Sequence, residues 1–219
     1  MTAPESSPRL TVEAFAELMT VPGYEYRRIL YDHKYPKKIP ASFMVPYYRD
    51  AIAAIVRFYR QGNDPEVLTK AIIELEEKKN YTKKPNPRND HNIEVLTAFS
   101  KGPLRDRQFR VQKMINYRIH FDPIDLKFSP DVTAVEDGRT RFVILNPRTE
   151  DADDEVARMT LEMAYHVLAT SAVPCTIGEL EYANILSGKL TRGGARLRKK
   201  TMDRAAATAK VIGAIWDTI

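Results

Sequence analysis

Between residues 117 and 145 the apolar residues recur at every second position, and a chain with such a stretch cannot be an all-helical bundle. Tyr117, Ile119 and Phe121 alternate with Arg118 and His120. Ile124, Leu126 and Phe128 alternate with Asp125 and Lys127. Successive strand side chains point to opposite faces, so this pattern predicts strands with one buried face. Val132 and Val135 follow, then Glu136-Asp137-Gly138-Arg139, then Phe142-Val143-Ile144-Leu145. Asp-Gly between two apolar runs predicts a tight hairpin. Four apolar residues in a row leave no polar face, as in a central strand covered on both sides. Pro147 ends that strand.

Helical spacing dominates on either side. Thr11 is placed to cap a helix running to about Met19, with Glu13 in its first turn, and Pro22-Gly23 stops it. The stretch from Tyr24 to Pro40 is aromatic and basic without a clean period, and predicts a loop or broken helix. Ala51, Ile52, Ile55, Phe58 and Tyr59 then share one helical face, and Asp64-Pro65 starts the next helix as N-cap and first residue. A basic loop over residues 78–90 is expected before a helix capped by Asp90. After the strands, the acids of residues 150–155 suit the start of a helix that carries Met159, Met163 and Val167. A strand region over 175–185, a turn at Ser187-Gly188-Lys189 and a last helix over about 202–219 complete the chain.

This order predicts an α/β (α+β) domain, a central mixed β-sheet flanked by helices. The expected organisation is a disordered tail over 1–10 and one domain over 11–219, with a helical part (11–102) and a sheet-containing core (103–219). At 43% hydrophobic residues, a 219-residue chain can bury a full core. No apolar run approaches the roughly 20 residues of a membrane helix. No secretory signal is seen at the N-terminus. The single cysteine, Cys175, rules out an intramolecular disulfide or a cysteine-cluster zinc site, and a cytoplasmic protein is expected.

The net charge of +5 is gathered into groups. One comprises Lys78, Lys79, Lys83, Lys84 and Arg88; a second Lys101, Arg105, Arg107, Arg110 and Lys113; a third Lys189, Arg192, Arg196, Arg198, Lys199, Lys200 and Arg204. Any one of them can be a solvated helix end; together they point toward a polyanion partner. No phosphate-binding glycine loop or HExxH is present, and His33, His91, His120 and His166 share no ligand spacing.

One stretch carries a possible chemistry. Pro130-Asp131, the Glu136-Asp137-Gly138 hairpin and the buried run Phe142–Leu145 lead into Asn146-Pro147-Arg148, with Leu161 and Tyr165 on the following helix. This arrangement resembles the PD-(D/E)XK nuclease superfamily, in its RecB-type exonuclease branch. The resemblance covers residues 45–219 as an order of elements and 129–165 as a motif. It implies a restriction-endonuclease-like core in which Asp131 stands for the first acid and Asn146 and Arg148 for the acid-x-lysine pair. Leu161 and Tyr165 stand where Gln and Tyr are expected. In that family two carboxylates hold Mg²⁺, which activates water against a phosphodiester.

The departures bear on the chemistry. Asn146 brings no negative charge, and Arg148 can fork onto a phosphate but is a poor proton acceptor. The helix that begins Tyr47-Tyr48-Arg49-Asp50 lacks the family's histidine. What the resemblance implies is a nucleic-acid-binding protein, DNA first, with a dismantled metal site and an accessory part in defence, repair or recombination, within a larger complex if it has one. Arg148, Lys189, Arg192, Arg196, Arg198, Lys199 and Lys200 would contact the backbone, and Tyr47, Tyr48 or Tyr81 would stack on bases. Two alternatives stay open. One is an active Mg²⁺- or Mn²⁺-dependent nuclease using Asp131 with a migrated acid such as Glu150. The other is a protein–protein module. A purely structural reading also stands, in which Asp131 ends a turn and the hairpin is that of any α/β protein.

Overall fold

The computed structural model describes residues 7–35, 47–81, 87–148 and 151–219. Strand β1 (Arg9–Thr11) leads directly into α1 (Val12–Thr20), whose first turn is capped by the Thr11 hydroxyl oxygen accepting from Ala14 N at 3.2 Å. So the chain is already ordered at Arg9, within the expected tail, because β1 pairs with a later strand. Helix α2 (Tyr26–Lys34) occupies the first part of the stretch expected as a loop or broken helix. Tyr26 and Leu30, four residues apart, are its buried contacts, and the charged residues between them face outward.

Helices α3 (Arg49–Arg60), α4 (Pro65–Tyr81) and α5 (Pro87–Lys101) follow. Gly62 and Asn63, both at positive φ, break the chain between α3 and α4, and Asp64 Oδ1 caps α4 by accepting from Glu66 N at 2.9 Å. Helix α4 takes residues 78–81 of the expected basic loop and α5 takes residues 87–90. Asp90 lies in the first turn of α5 rather than at its cap, since Pro87 opens that helix. Lys83 and Lys84 lie outside the described residues.

The strands are β2 (Arg110–Val111), β3 (Tyr117–Phe121), β4 (Ile124–Phe128), β5 (Val132–Glu136) and β6 (Arg139–Asn146). Helix α6 (Asp154–Thr170), strands β7 (Leu180–Asn184) and β8 (Leu190–Arg192), and helix α7 (Lys199–Trp216) complete the fold. It is a mixed α/β architecture, with two sheets where one was expected. The larger has the order β2-β5-β6-β7-β8, and the smaller β1-β4-β3. Asp137 (φ 50°) and Gly138 (φ 75°) make the β5–β6 turn, whose two central positions both need positive φ. Strand β6 pairs antiparallel with β5 and parallel with β7, the parallel pair being joined through α6.

Strand β6 is apolar on both faces because each face meets a different core. Phe142 and Ile144 join α1, α6, α7 and the small sheet, while Val143 and Leu145 join α3, α4 and α5. All four are at most 6% exposed. At about 25 cal/mol per Å² of apolar surface, such two-sided burial makes β6 the backbone of the molecule. The N-terminal end of β5 and the C-terminal ends of β6 and β7 thereby come together at one end of the sheet, where the motif residues lie.

Candidate functional site

Asp131 precedes β5 by one residue, where the backbone ladder to β6 has stopped. Its Oδ2 accepts from Leu145 N at 2.8 Å and so takes over from the missing backbone carbonyl. Burial pushes its carboxyl up to about 7; the Leu145 N–H opposes that shift and the charge of Glu13 adds to it. Glu13, on α1, is itself raised, by burial first, with Glu17 adding to the shift. Sequence reading placed Glu13 only at a helix start. The Glu13/Glu17 spacing of one helical turn was the signal that both project from one side of α1.

The motif's second half has been turned to structural use. Asn146 ends β6 and is 5% exposed; its Nδ2 donates to Asn184 Oδ1 at 2.7 Å, and its Oδ1 accepts from Arg148 N at 3.2 Å. Asn184 Oδ1 also receives Ala152 N at 3.4 Å. Two neighbouring strand ends and the chain leading to α6 are thus tied by amides. Arg148 points outward, and its Nη1 donates to Glu17 Oε1 at 2.7 Å. Tyr182, 8% exposed on β7, lies within reach of the charges of Arg148, Glu17, Glu13 and Asp131, and burial is the main cause that pushes its phenol up to about 12. Asp131 and Arg148 therefore border the same corner.

Tyr165 is not part of it. It is half-buried on α6 and packs against the first core, beside the fully buried Leu161. Glu150 lies outside the described residues. Among the described residues no group of three or more His, Cys, Asp or Glu side chains could hold a metal ion. Among the described residues, the donor set at this corner does not fit Mg²⁺ or Mn²⁺. Two carboxylates are biased toward their neutral forms, the amide oxygen at the third position is taken by a backbone N–H, and an arginine stands in place of the lysine.

Beside this corner runs a groove of about 650 Å³. Asp131, Leu145 and Pro147 form one side, and α3 forms the other with Arg49, Ile52, Ala53, Val56, Arg57 and Arg60. Those six recur at helical spacing on the side of α3 away from Ala51, Ile55 and Phe58, so the helix has two working faces. Arg49, Arg57 and Arg60 are exposed and make no ion pair among the described residues. The rings of Tyr47 and Tyr48 close the end of the groove, 5.0 Å apart and edge to face. Sequence reading named both tyrosines but missed the three arginines, which stand apart from each other along the chain and come together only as a helix.

The predicted backbone contacts fare unevenly. Lys189 is paired with Asp154 (2.6 Å), Arg192 with Glu181 (3.1 Å), Arg198 with Glu162 (3.4 Å) and Arg204 with Glu155 (3.0 Å). Arg196, Lys199 and Lys200 are exposed and without an ion pair among the described residues. Arg107, read as part of a cationic cluster, is instead buried between Glu136 and Glu181, its guanidinium hydrogen-bonded to both. The side chain of Tyr81 is outside the described residues. No helix among the described residues is long and apolar enough to cross a membrane. Comparison with known protein families and with characterised proteins returned no match, so the site is interpreted from its own geometry.

Proposed function

We propose that this protein binds nucleic acid, DNA first, in the α3 groove, and that its nuclease-like corner holds the strand without cutting it. The carrying observation is the alignment of Arg49, Arg57 and Arg60, which have no carboxylate partner among the described residues, along a groove closed by Tyr47 and Tyr48. Unpaired guanidiniums favour phosphates, and tyrosine faces favour bases. The corner is suited to recognition rather than hydrolysis, since Asn146 is committed to its neighbours and Arg148 offers a fixed positive charge. An accessory role in defence, repair or recombination, beside other subunits, follows from such a reading.

The test is fluorescence anisotropy with labelled single- and double-stranded DNA at two salt concentrations, for the protein and for Arg57→Gln/Arg60→Gln. The double variant is expected to bind more weakly at low salt and to lose about two from the slope of log affinity against log salt, roughly 0.9 per phosphate contact. An unchanged slope removes the groove from the interface. Salt-insensitive behaviour with no DNA affinity favours a protein–protein module instead. Parallel incubation with Mg²⁺, Mn²⁺ or EDTA decides the chemistry. Cleavage that depends on metal and is lost in Asp131→Ala would establish a rearranged but working nuclease.

A further inference from the structure

The outer face of the small sheet is built from other residues than the groove. Strand alternation sends Leu10, Ile119, Leu126 and Phe128 into the core and leaves Arg9, Thr11, Arg118, His120, Asp125 and Lys127 around an outer concavity of about 380 Å³. The registers sort these six into two rows across the strands. One is Arg9, Asp125, His120; the other is Thr11, Lys127, Arg118.

The first row neutralises itself. Asp125 meets His120 Nδ1 at 2.9 Å, accepts from Ser7 Oγ at 2.8 Å and lies 4.0 Å from Arg9 Nε. The hydrogen bond from His120 is the largest cause holding its carboxyl below the ordinary range. The second row contains no acid. Lys127 and Arg118 stand directly opposite each other, and neither makes an ion pair or side-chain hydrogen bond among the described residues. Glu13 senses the charge of Lys127 without forming an ion pair to it, and the one carboxylate on the face is committed to the other row. Like charges directly opposite on antiparallel strands are unfavourable. A lysine on an edge strand guards against unwanted pairing, but β4 is the middle strand and has no edge to guard.

We propose that Lys127 and Arg118 form a binding site for a phosphoryl anion on the outer face of the β1-β4-β3 sheet. Adjacent strands lie about 4.8 Å apart, so the two cations can both reach one phosphate or diphosphate. The ammonium acts as a point charge and the guanidinium as a two-pronged donor, while the Thr11 hydroxyl at the end of the row is already engaged with Glu13 and Ala14 N. The anion supplies the negative charge that this row lacks. Its source is either a small phosphorylated molecule or the phosphodiester of a nucleic-acid strand.

The experiment titrates the whole chain with inorganic pyrophosphate at constant ionic strength, and separately with a short single-stranded oligonucleotide, following backbone amide shifts by NMR. Saturable shifts on β1, β3 and β4 are expected, separate from any on α3, with about tenfold weaker binding read on those strands in both Arg118→Gln and Lys127→Gln. The shifts on β1, β3 and β4 should saturate at the same concentration in Thr208→Ser, on α7. Both variants lie on a solvent face and relieve a repulsion, so neither should fold less stably; circular dichroism checks this. If pyrophosphate fails to saturate but the oligonucleotide shifts the same strands and loses affinity in both variants, the phosphate is a phosphodiester and the site stands. Absence of saturable shifts on this face with either probe, or binding equal to the parent in both variants, overturns the site.

Discussion

Asp131 shows how a buried carboxylate can serve the backbone of a sheet. It extends a β-ladder by accepting from Leu145 N, and its burial raises it to about 7 from the ordinary 3.8. The unfolded chain therefore releases this proton near pH 4, while the folded chain keeps it until about pH 7. Between those values the folded state holds the extra proton, so Asp131 costs nothing below about pH 4, and stability falls as pH rises toward 7 and is level above it. Asp131→Asn keeps an acceptor for Leu145 N and removes the charge. It is expected to raise the thermal midpoint at pH 8, by at most about 4 kcal/mol in stability, with the gain vanishing as pH falls to 4. Thermal unfolding of both proteins across that range checks it, and a gain independent of pH would mean that Asp131 titrates as an ordinary carboxylate. Gly213 is the second informative residue. Ala is worth up to about 1 kcal/mol over Gly within a helix. On α7, however, a Cβ at Gly213 would lie 2.3 Å from Pro123 Cγ. Gly213→Ala is therefore expected to destabilise the protein by about 1–3 kcal/mol, seen as a lower denaturant midpoint.

At the scale of elements, α3 and β6 carry most of the meaning. The buried stripe of α3 was legible because Ala51, Ile55, Phe58 and Tyr59 are apolar at helical spacing. Its groove face was not, because Arg49, Arg57 and Arg60 read as an ordinary solvated face until Leu145, Pro147 and Asp131 are placed across from them. Strand β6 was legible from four apolar residues, since only a strand between two layers needs them. Helix α2 was hidden by its charged and aromatic composition, and its two buried residues acquire significance only from the surface they meet. The small sheet escaped for a different reason. Alternation in 117–128 identifies strands but not their partners, and the partner, β1, is three residues long and far away in sequence.

For the whole molecule, the buried ion cluster explains how the helical half is held to the sheet. Arg107 lies just before β2, its backbone oxygen accepts from Asn63 Nδ2 at 2.8 Å, and its guanidinium joins Glu136 of β5 and Glu181 of β7. The Arg107 hydrogen bond holds Glu136 below the ordinary carboxylate range, a contribution present above its unfolded pKa and lost as pH falls through the lower folded value. Arg107→Met keeps the stem and leaves two acids short of a partner, which is expected to cost about 3–5 kcal/mol. Because the two cores share the large sheet, the loss should lower one common transition. Trp216 fluorescence, reporting the first core, and far-ultraviolet circular dichroism should therefore shift together; separate transitions would divide the chain into two folding units.

Taken alone, the sequence determined the α/β class, the β5–β6 hairpin, the central position of β6 and the presence of most helices, though not their ends. Those rest on periodicity and on turn chemistry, which act between residues near in sequence. It also singled out Asp131, Asn146 and Arg148, which lie at neighbouring strand ends. Only the tertiary structure decided what charges are for. Arg107 became a largely buried tie, Arg148 and Lys189 acquired carboxylate partners, Glu13 joined Asp131, and Arg49, Arg57 and Arg60 have no ion pair among the described residues beside a groove. The reason is physical. A hydrophobic side chain announces burial by its chemistry, whereas a charged one takes its meaning from what lies opposite, and residues opposite in space are far apart in sequence.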